Sequence, residues 1–192
     1  MKTAILKETS RGIDRISLED KLFEERRIFF TEEVNAETST ELIQQLLCLE
    51  MLDPKKEITI YINSPGGEVV SGLAVYDVIR GLKCPVRTVC TGTAASMGSI
   101  LFLAGTKRQM LPHTKIMIHD PLVAGLSGRK RALELEKEAL QLMETRAVTG
   151  GIIAERCGHT LEEVYEKTKE DCFLTAEEAL EFGVATEIVS CA

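Results

Sequence analysis

Histidine and long apolar runs are scarce in this chain of 192 residues, and its 23 lysines and arginines are outnumbered by 30 acidic residues; each of these features argues against a class of function. Only three histidines are present, and the sequence shows neither a His–Glu pair at ligand spacing nor clustered cysteines, so it predicts no metal site. The net charge is −7 and no basic patch is interleaved with aromatic residues, which argues against a nucleic-acid partner. No apolar run reaches the roughly 20 residues that cross a bilayer, and we therefore expect no membrane partner.

The cysteines and glycines point away from disulfides and nucleotides. Six cysteines, at positions 48, 84, 90, 157, 172 and 191, have no paired spacing, and no signal peptide precedes them. We therefore expect reduced thiols in a cytoplasmic protein. The glycine-rich turn lacks the lysine and serine or threonine of a phosphate-binding loop, so we expect no cofactor in this chain. An apolar content of 44% is enough for one substantial core, which predicts a single domain over residues 1–192.

Segments rich in β-branched residues alternate with amphipathic segments along the chain, a pattern that predicts an α/β fold of repeated strand–helix units. The predicted strands lie near 27–30, 58–62, 86–90, 115–118 and 187–189, and the predicted helices near 38–52, 69–82, 97–104, 129–148, 161–169 and 176–181.

Ser96 lies at a turn between the strand-like segment 86–90 and an apolar, helix-like segment that begins at Met97. Small residues crowd this turn, so the backbone can bend tightly and leave the hydroxyl facing outward, as in a nucleophile elbow. The alternative is that Ser96 only caps the helix.

A base for this serine must come from a short set of candidates. His119 ends the apolar run 116–118 and precedes Asp120, which places it at a strand tip where catalytic groups in α/β sheets lie. A structural role for His119 is the alternative. Asp171 follows a predicted helix and precedes an apolar pair, so it is the candidate to orient the histidine. Asp120 competes for that role, but adjacent strand residues point to opposite faces.

Two consecutive glycines, Gly66 and Gly67, follow the buried strand predicted at 58–62. Glycines let a backbone approach a ligand closely, which suits amides that hold a negatively charged oxygen. An ordinary loop before the next helix is the alternative.

Together these segments resemble the ClpP family of serine peptidases, the proteolytic subunits of ATP-dependent Clp proteases, over nearly the whole chain. The resemblance rests on the motifs Thr9–Gly12, Tyr61–Gly67, Ala94–Gly98, Met117–His119 and Asp171–Leu174, the last followed by Ala176–Ala179. It implies a ClpP/crotonase-like spiral of β-β-α units. It also implies Ser96 as nucleophile, His119 as base and Asp171 as its partner, with the N–H groups of Gly67 and Met97 as the oxyanion hole.

The resemblance further implies an assembly of two stacked heptameric rings that enclose the active sites. A handle helix at about 120–148 joins the rings, and residues 1–14 form a mobile axial segment. A partner AAA+ unfoldase uses the ATP and delivers unfolded polypeptides. The extended substrate would bind along Glu68, Val69 and Val70 on one side and Leu122, Val123 and Leu126 on the other.

Several positions depart from the family pattern. Asp120 stands where a glutamine commonly occurs, and Glu170 where an arginine usually joins the rings. Gly81 and Thr91 replace large apolar residues of the unfoldase docking groove, and the segment 105–110 is shorter. Two alternatives therefore stay open: a weakly active or regulatory paralogue that acts as scaffold in a mixed ring, and a crotonase-type acyl-CoA enzyme.

Overall fold

A mostly parallel sheet of seven strands organises the computed structural model, which describes residues 4–9, 12–122 and 131–190. The strands are β1 Ala4–Thr9, β2 Gly12–Ser17, β3 Arg27–Phe30, β4 Ile58–Ser64, β5 Val86–Ala95, β6 Lys107–Met110, β7 Lys115–Ile118, β8 Cys172–Leu174 and β9 Glu187–Ile188. The helices are α1 Leu18–Glu24, α2 Ala36–Leu52, α3 Val69–Gly81, α4 Met97–Ala104, α5 Ala132–Cys157, α6 Leu161–Thr168 and α7 Ala176–Glu181.

The sheet has the order β3-β4-β5-β6-β9, and β7 pairs with the last residues of β5. All of these pairs are parallel, whereas β8 joins β7 antiparallel. Parallel pairing puts the carboxyl ends of β4, β5 and β7 at one edge, where ligands of open α/β sheets bind. The α/β prediction is confirmed.

The core lies where β4 and β5 meet α4. The first five residues of each strand are buried except Arg87, as expected for parallel strands that are covered on both faces. Every residue of α4 is buried, and Phe102 and Leu103 are fully inaccessible. The core thus anchors the helix that begins directly after Ser96.

The structure adds elements that the sequence did not predict. β1 and β2 form an antiparallel hairpin, followed by α1. β6 was missed because its sequence, Lys-Arg-Gln-Met, is polar, yet Arg108 is 7% exposed and donates to the carbonyl oxygens of Val184 and Gly183. β5 continues five residues beyond its predicted end at Cys90, which carries the strand up to Ser96.

Helix α5 is the longest element, with 26 residues. Its predicted start at 129 lies outside the described residues, and its predicted end at 148 is wrong because the helix continues to Cys157. Gly150 does not break it, since Tyr165 of α6 packs against that glycine. Residues 132–148 contain no buried side chain, so this part of α5 contributes nothing to the buried core. In the described ranges no helix combines the length and apolarity needed to span a membrane.

Candidate active site

Ser96 occupies a strained backbone conformation between β5 and α4, with φ of 52° and ψ of −122°. A non-glycine residue at positive φ is uncommon and costs roughly 1–3 kcal/mol, so its surroundings must impose it. The Ser96 N–H donates to the Met117 carbonyl at 2.9 Å, and its carbonyl accepts from the Ser99 hydroxyl at 2.6 Å. The Ser96 side chain makes no capping bond although it stands at the N-cap position, so the simple capping interpretation is wrong.

The loop after β4 lies directly against this turn, and its glycines make the approach possible. At Gly66, φ is +95° and an added Cβ would lie 2.6 Å from the Ala95 carbonyl oxygen and 2.8 Å from the Ser96 Cβ. At Gly67, φ is +144° and a Cβ would lie 2.2 Å from the Val34 carbonyl oxygen. Only glycine fits at both positions.

The two predicted oxyanion donors border one pocket together with Ser96. Gly67 and Met97 both line it. Met97 is the first residue of α4, and the first amides of a helix have no acceptor within the helix. The positive end of the α4 dipole adds to their effect on a developing negative charge. The geometry can thus stabilise an oxyanion beside the Ser96 hydroxyl.

His119 reaches Ser96 because β7 is parallel to β5. Met117 pairs with Ala95, so both chains leave the sheet at the same edge. The His119 Nε2 lies 2.8 Å from the Ser96 Oγ, and the imidazole side chain is 12% exposed. For the hydroxyl to donate to Nε2, the proton of neutral histidine must be on Nδ1. This is the contact that a general base requires.

Asp171 lies on the other side of the imidazole but does not bond to it. Its Oδ1 is 3.8 Å from the His119 Nδ1, and the carboxylate side chain is 64% exposed. The Nδ1 is buried and has no hydrogen-bond partner among the described residues. Pairing of Cys172 with Ile118 places Asp171 here, and an approach of about 1 Å would complete the hydrogen bond.

Asp120 bonds to residues other than His119, but both residues lie beyond the end of β7, so the strand alternation assumed in the prediction does not apply to them. Its Oδ2 accepts from the Arg146 Nε at 2.7 Å, and its Oδ1 accepts from the Thr168 hydroxyl at 2.8 Å. The Arg146 guanidinium lies 3.6 Å from the ring centroid of Tyr165. The roles of Arg146, Thr168 and Tyr165 were not predicted. These residues belong to α5 and α6, and only the fold brings the two helices close to Asp120.

A pocket of about 230 Å³ opens beside Ser96. Its lining is largely apolar and includes Val69, Met97, Ile100, Ile118, Leu122 and Ile153. Thr149 and Ile153 come from α5; their spacing of four residues, typical of one helix face, was the only signal in the sequence. Such a pocket can hold an apolar side chain next to the bond under attack.

The predicted peptide-binding residues are only partly placed. Val69 and Leu122 line the pocket, whereas Val123 and Leu126 lie outside the described residues. Glu68 is extended, but Val69 and Val70 form the first turn of α3, so an extended edge ends at Glu68. Within 4–9, 12–122 and 131–190, no three His, Cys, Asp or Glu side chains are grouped to hold a metal ion.

The sequence also matches a family model. The family is described as Clp protease, and the match covers residues 10–191. Members have the ClpP/crotonase-like fold, and membership implies a serine peptidase that works in rings with unfoldase partners. A match over nearly the whole length, on a sheet that brings Ser96 to His119, shows that this chain belongs to the Clp protease family.

Proposed function

We propose that this chain is the proteolytic subunit of an ATP-dependent Clp protease, a serine endopeptidase that hydrolyses unfolded polypeptides inside a ring chamber. The observation that carries the proposal is the 2.8 Å contact between the Ser96 Oγ and the His119 Nε2, made at a strained turn beside an apolar pocket. Backbone strain of this kind persists where the surrounding structure holds a reactive group in place.

Acyl transfer follows from this arrangement. The Ser96 Oγ attacks the peptide carbonyl carbon while its proton passes to the His119 Nε2. The carbonyl oxygen becomes an oxyanion that the Gly67 and Met97 amides stabilise. His119 then donates the proton to the leaving amine as the C–N bond breaks, and water, activated by the same imidazole, releases the acyl group.

Thiols near the site do not compete with Ser96 as nucleophile. Burial raises the pKa of the Cys172 thiol, which follows Asp171, and burial likewise raises the pKa of the Cys90 thiol in β5. Both groups are therefore neutral near pH 7, and only a thiolate is an effective nucleophile. The five cysteines that the structure describes are all free, and Cys191 lies outside the described residues.

Assembly into stacked heptameric rings accounts for the exposed apolar side chains of α5. Five of them are between 46% and 77% exposed: Leu133, Leu135, Leu140, Met143 and Val148. Covering a side chain of this size stabilises a complex by roughly 1.5–3 kcal/mol when it is fully buried. We propose that this surface is the handle that joins two rings, and that an AAA+ unfoldase supplies unfolded substrate at the expense of ATP.

A regulatory paralogue in a mixed ring is the second candidate. The observation that favours it is the 3.8 Å separation between His119 and Asp171, since a base without its acidic partner is poorly oriented. The crotonase-type reading is less favoured, because the Ser96 hydroxyl lies 2.8 Å from the His119 imidazole and shares a pocket with both candidate oxyanion donors.

Replacement of the nucleophile tests the proposal. Ser96→Ala should lower the hydrolysis of short fluorogenic peptides by roughly 10⁴-fold or more without changing assembly. Ser190→Ala, which removes an exposed hydroxyl near the end of the chain, is the matched control and should retain the parent rate. Equal rates in Ser96→Ala and the parent would show that the assignment is wrong. A parent that assembles but neither cleaves peptides nor reacts at Ser96 would favour the regulatory paralogue.

A further inference from the structure

We infer that Asp120 is a positioning residue that sets the distance between His119 and Asp171, acting through Thr168 and Arg146. These three residues form what we call the Asp120 network. The inference rests on the proposed function, because it assigns a role within the same reaction. Asp120 itself does not touch the reacting atoms: both of its carboxylate oxygens are engaged by Arg146 and Thr168.

Two hydrogen bonds tie the loop that bears His119 to the segment that bears Asp171. The Asp120 N–H donates to the Thr168 carbonyl at 2.8 Å, and the Thr168 hydroxyl donates to the Asp120 Oδ1 at 2.8 Å. Thr168 is 3% exposed and ends α6, three residues before Asp171. Both bonds join Asp120, the residue after His119, to the last residue of α6. They therefore fix the position from which the chain continues to Asp171.

The third contact joins the same carboxylate to α5. The Arg146 Nε donates to the Asp120 Oδ2 at 2.7 Å, and the guanidinium stacks on the Tyr165 ring of α6. Gly150, one turn after Arg146, lets Tyr165 approach α5, since an added Cβ would lie 2.8 Å from the ring. Asp120 thus connects α5 and α6 to the catalytic loop.

His119 and Asp171 are too far apart to form a hydrogen bond, so the position that the Asp120 network gives to Asp171 matters for catalysis. The buried Nδ1 has no other partner among the described residues, and Asp171 is still 3.8 Å away. Whether the hydrogen bond closes depends on the position of the segment 168–171, which the Asp120 network holds. A misplacement of about 1 Å in a catalytic group can lower a rate by as much as 100-fold.

Thr168 offers the sharpest test, because valine replaces its hydroxyl with a methyl group at nearly the same shape, whereas serine keeps the hydroxyl and loses the methyl group. Thr168→Val removes the donor to Asp120, whereas Thr168→Ser keeps it. We expect Thr168→Val and Asp120→Ala each to lower kcat about tenfold or more with KM within about twofold, and Thr168→Ser to retain the parent kcat. The double variant should lose no more than the larger single effect, since both changes break one network.

Glu57→Gln is the control. It removes ion pairs with Arg87 and Lys107 at the opposite end of the sheet and should leave kcat unchanged. Melting temperatures of the assembled particles separate a loss of position from a loss of fold. The inference is overturned if Asp120→Ala keeps the parent kcat, or if Thr168→Val and Thr168→Ser lose kcat equally. Either result leaves the proposed function standing as long as Ser96→Ala is inactive, so the two failures are distinguishable.

Discussion

Gly66→Ala is the substitution that tests most severely how the turn at Ser96 is held. The new methyl group would lie 2.6 Å from the Ala95 carbonyl oxygen, 2.8 Å from the Ser96 Cβ and 2.9 Å from the Met97 nitrogen. These atoms belong to the end of β5 and the start of α4, which the buried core holds in place. The glycine also has φ of +95°, a conformation that alanine rarely adopts.

The cost can be worked from these two effects. Inserting a methyl group into a packed region costs about 1–3 kcal/mol, and a left-handed backbone at a residue with a Cβ costs roughly 1–2 kcal/mol. The free energy of unfolding should therefore fall by about 2–5 kcal/mol. For a domain of this size each kcal/mol lowers the melting temperature by about 2–4 °C, so the expected decrease is roughly 4–20 °C.

The assay compares melting temperature and peptide hydrolysis at one protein concentration, since assembly contributes to the stability of an oligomer. We expect kcat to fall tenfold or more, because relief of the contact displaces Ser96 or the oxyanion donors. Gly81→Ala is the matched control: that glycine ends α3 with nothing within 4 Å of an added Cβ, and alanine there should leave stability equal or slightly higher. If Gly66→Ala melts and cleaves like the parent, the reasoning about this turn is refuted.

Two further predictions concern a thiol and a surface charge. Burial raises the pKa of the Cys157 thiol to about 11 from a usual 9.0, so at pH 8 it should react with iodoacetamide about 100-fold more slowly in the native protein than in the denatured protein. Equal rates in the native and denatured protein would contradict this prediction. Because the native state holds the Cys157 proton more tightly than the unfolded state, the thiol's contribution to the free energy of unfolding is complete below pH 9 and is lost as the pH rises through 11. Glu170→Arg, which reverses an exposed charge beside Asp171, should raise the fraction of stacked double rings in sedimentation velocity. An unchanged distribution of oligomers in the Glu170→Arg variant would contradict that prediction.

The helices and strands could be predicted where the apolar residues in the sequence are also the residues that the fold buries. β3, β7, α4 and α7 begin and end where the sequence predicted, and most of their apolar residues are buried, although Phe29 and Leu180 are exposed. β6 escaped prediction because Arg108 is buried through hydrogen bonds to carbonyl oxygens, which sequence reading cannot anticipate. No side chain of β2 is fully buried, so this strand shows little of the apolar pattern from which strands are predicted.

The part of the candidate site that could be predicted consists of residues whose type and place at a strand end are enough to suggest a role. Ser96 and His119 each stand at such an end, and parallel pairing of β5 with β7 brings them together. The distance from His119 to Asp171 was not predictable, since it depends on how α6 ends. The Asp120 network was not predictable either, because Arg146 and Thr168 are 26 and 48 residues from Asp120 in the chain.

The most direct test of the account is the site of covalent modification by a fluorophosphonate probe. The assembled protein is treated at neutral pH, digested, and mapped by mass spectrometry, with the Ser96→Ala variant in parallel. The account predicts one adduct per subunit, carried by Ser96 and absent from the variant, because the Ser96 hydroxyl lies 2.8 Å from an imidazole base and shares a pocket with the two candidate oxyanion donors. An adduct on another residue, or equal labelling of parent and variant, would contradict it.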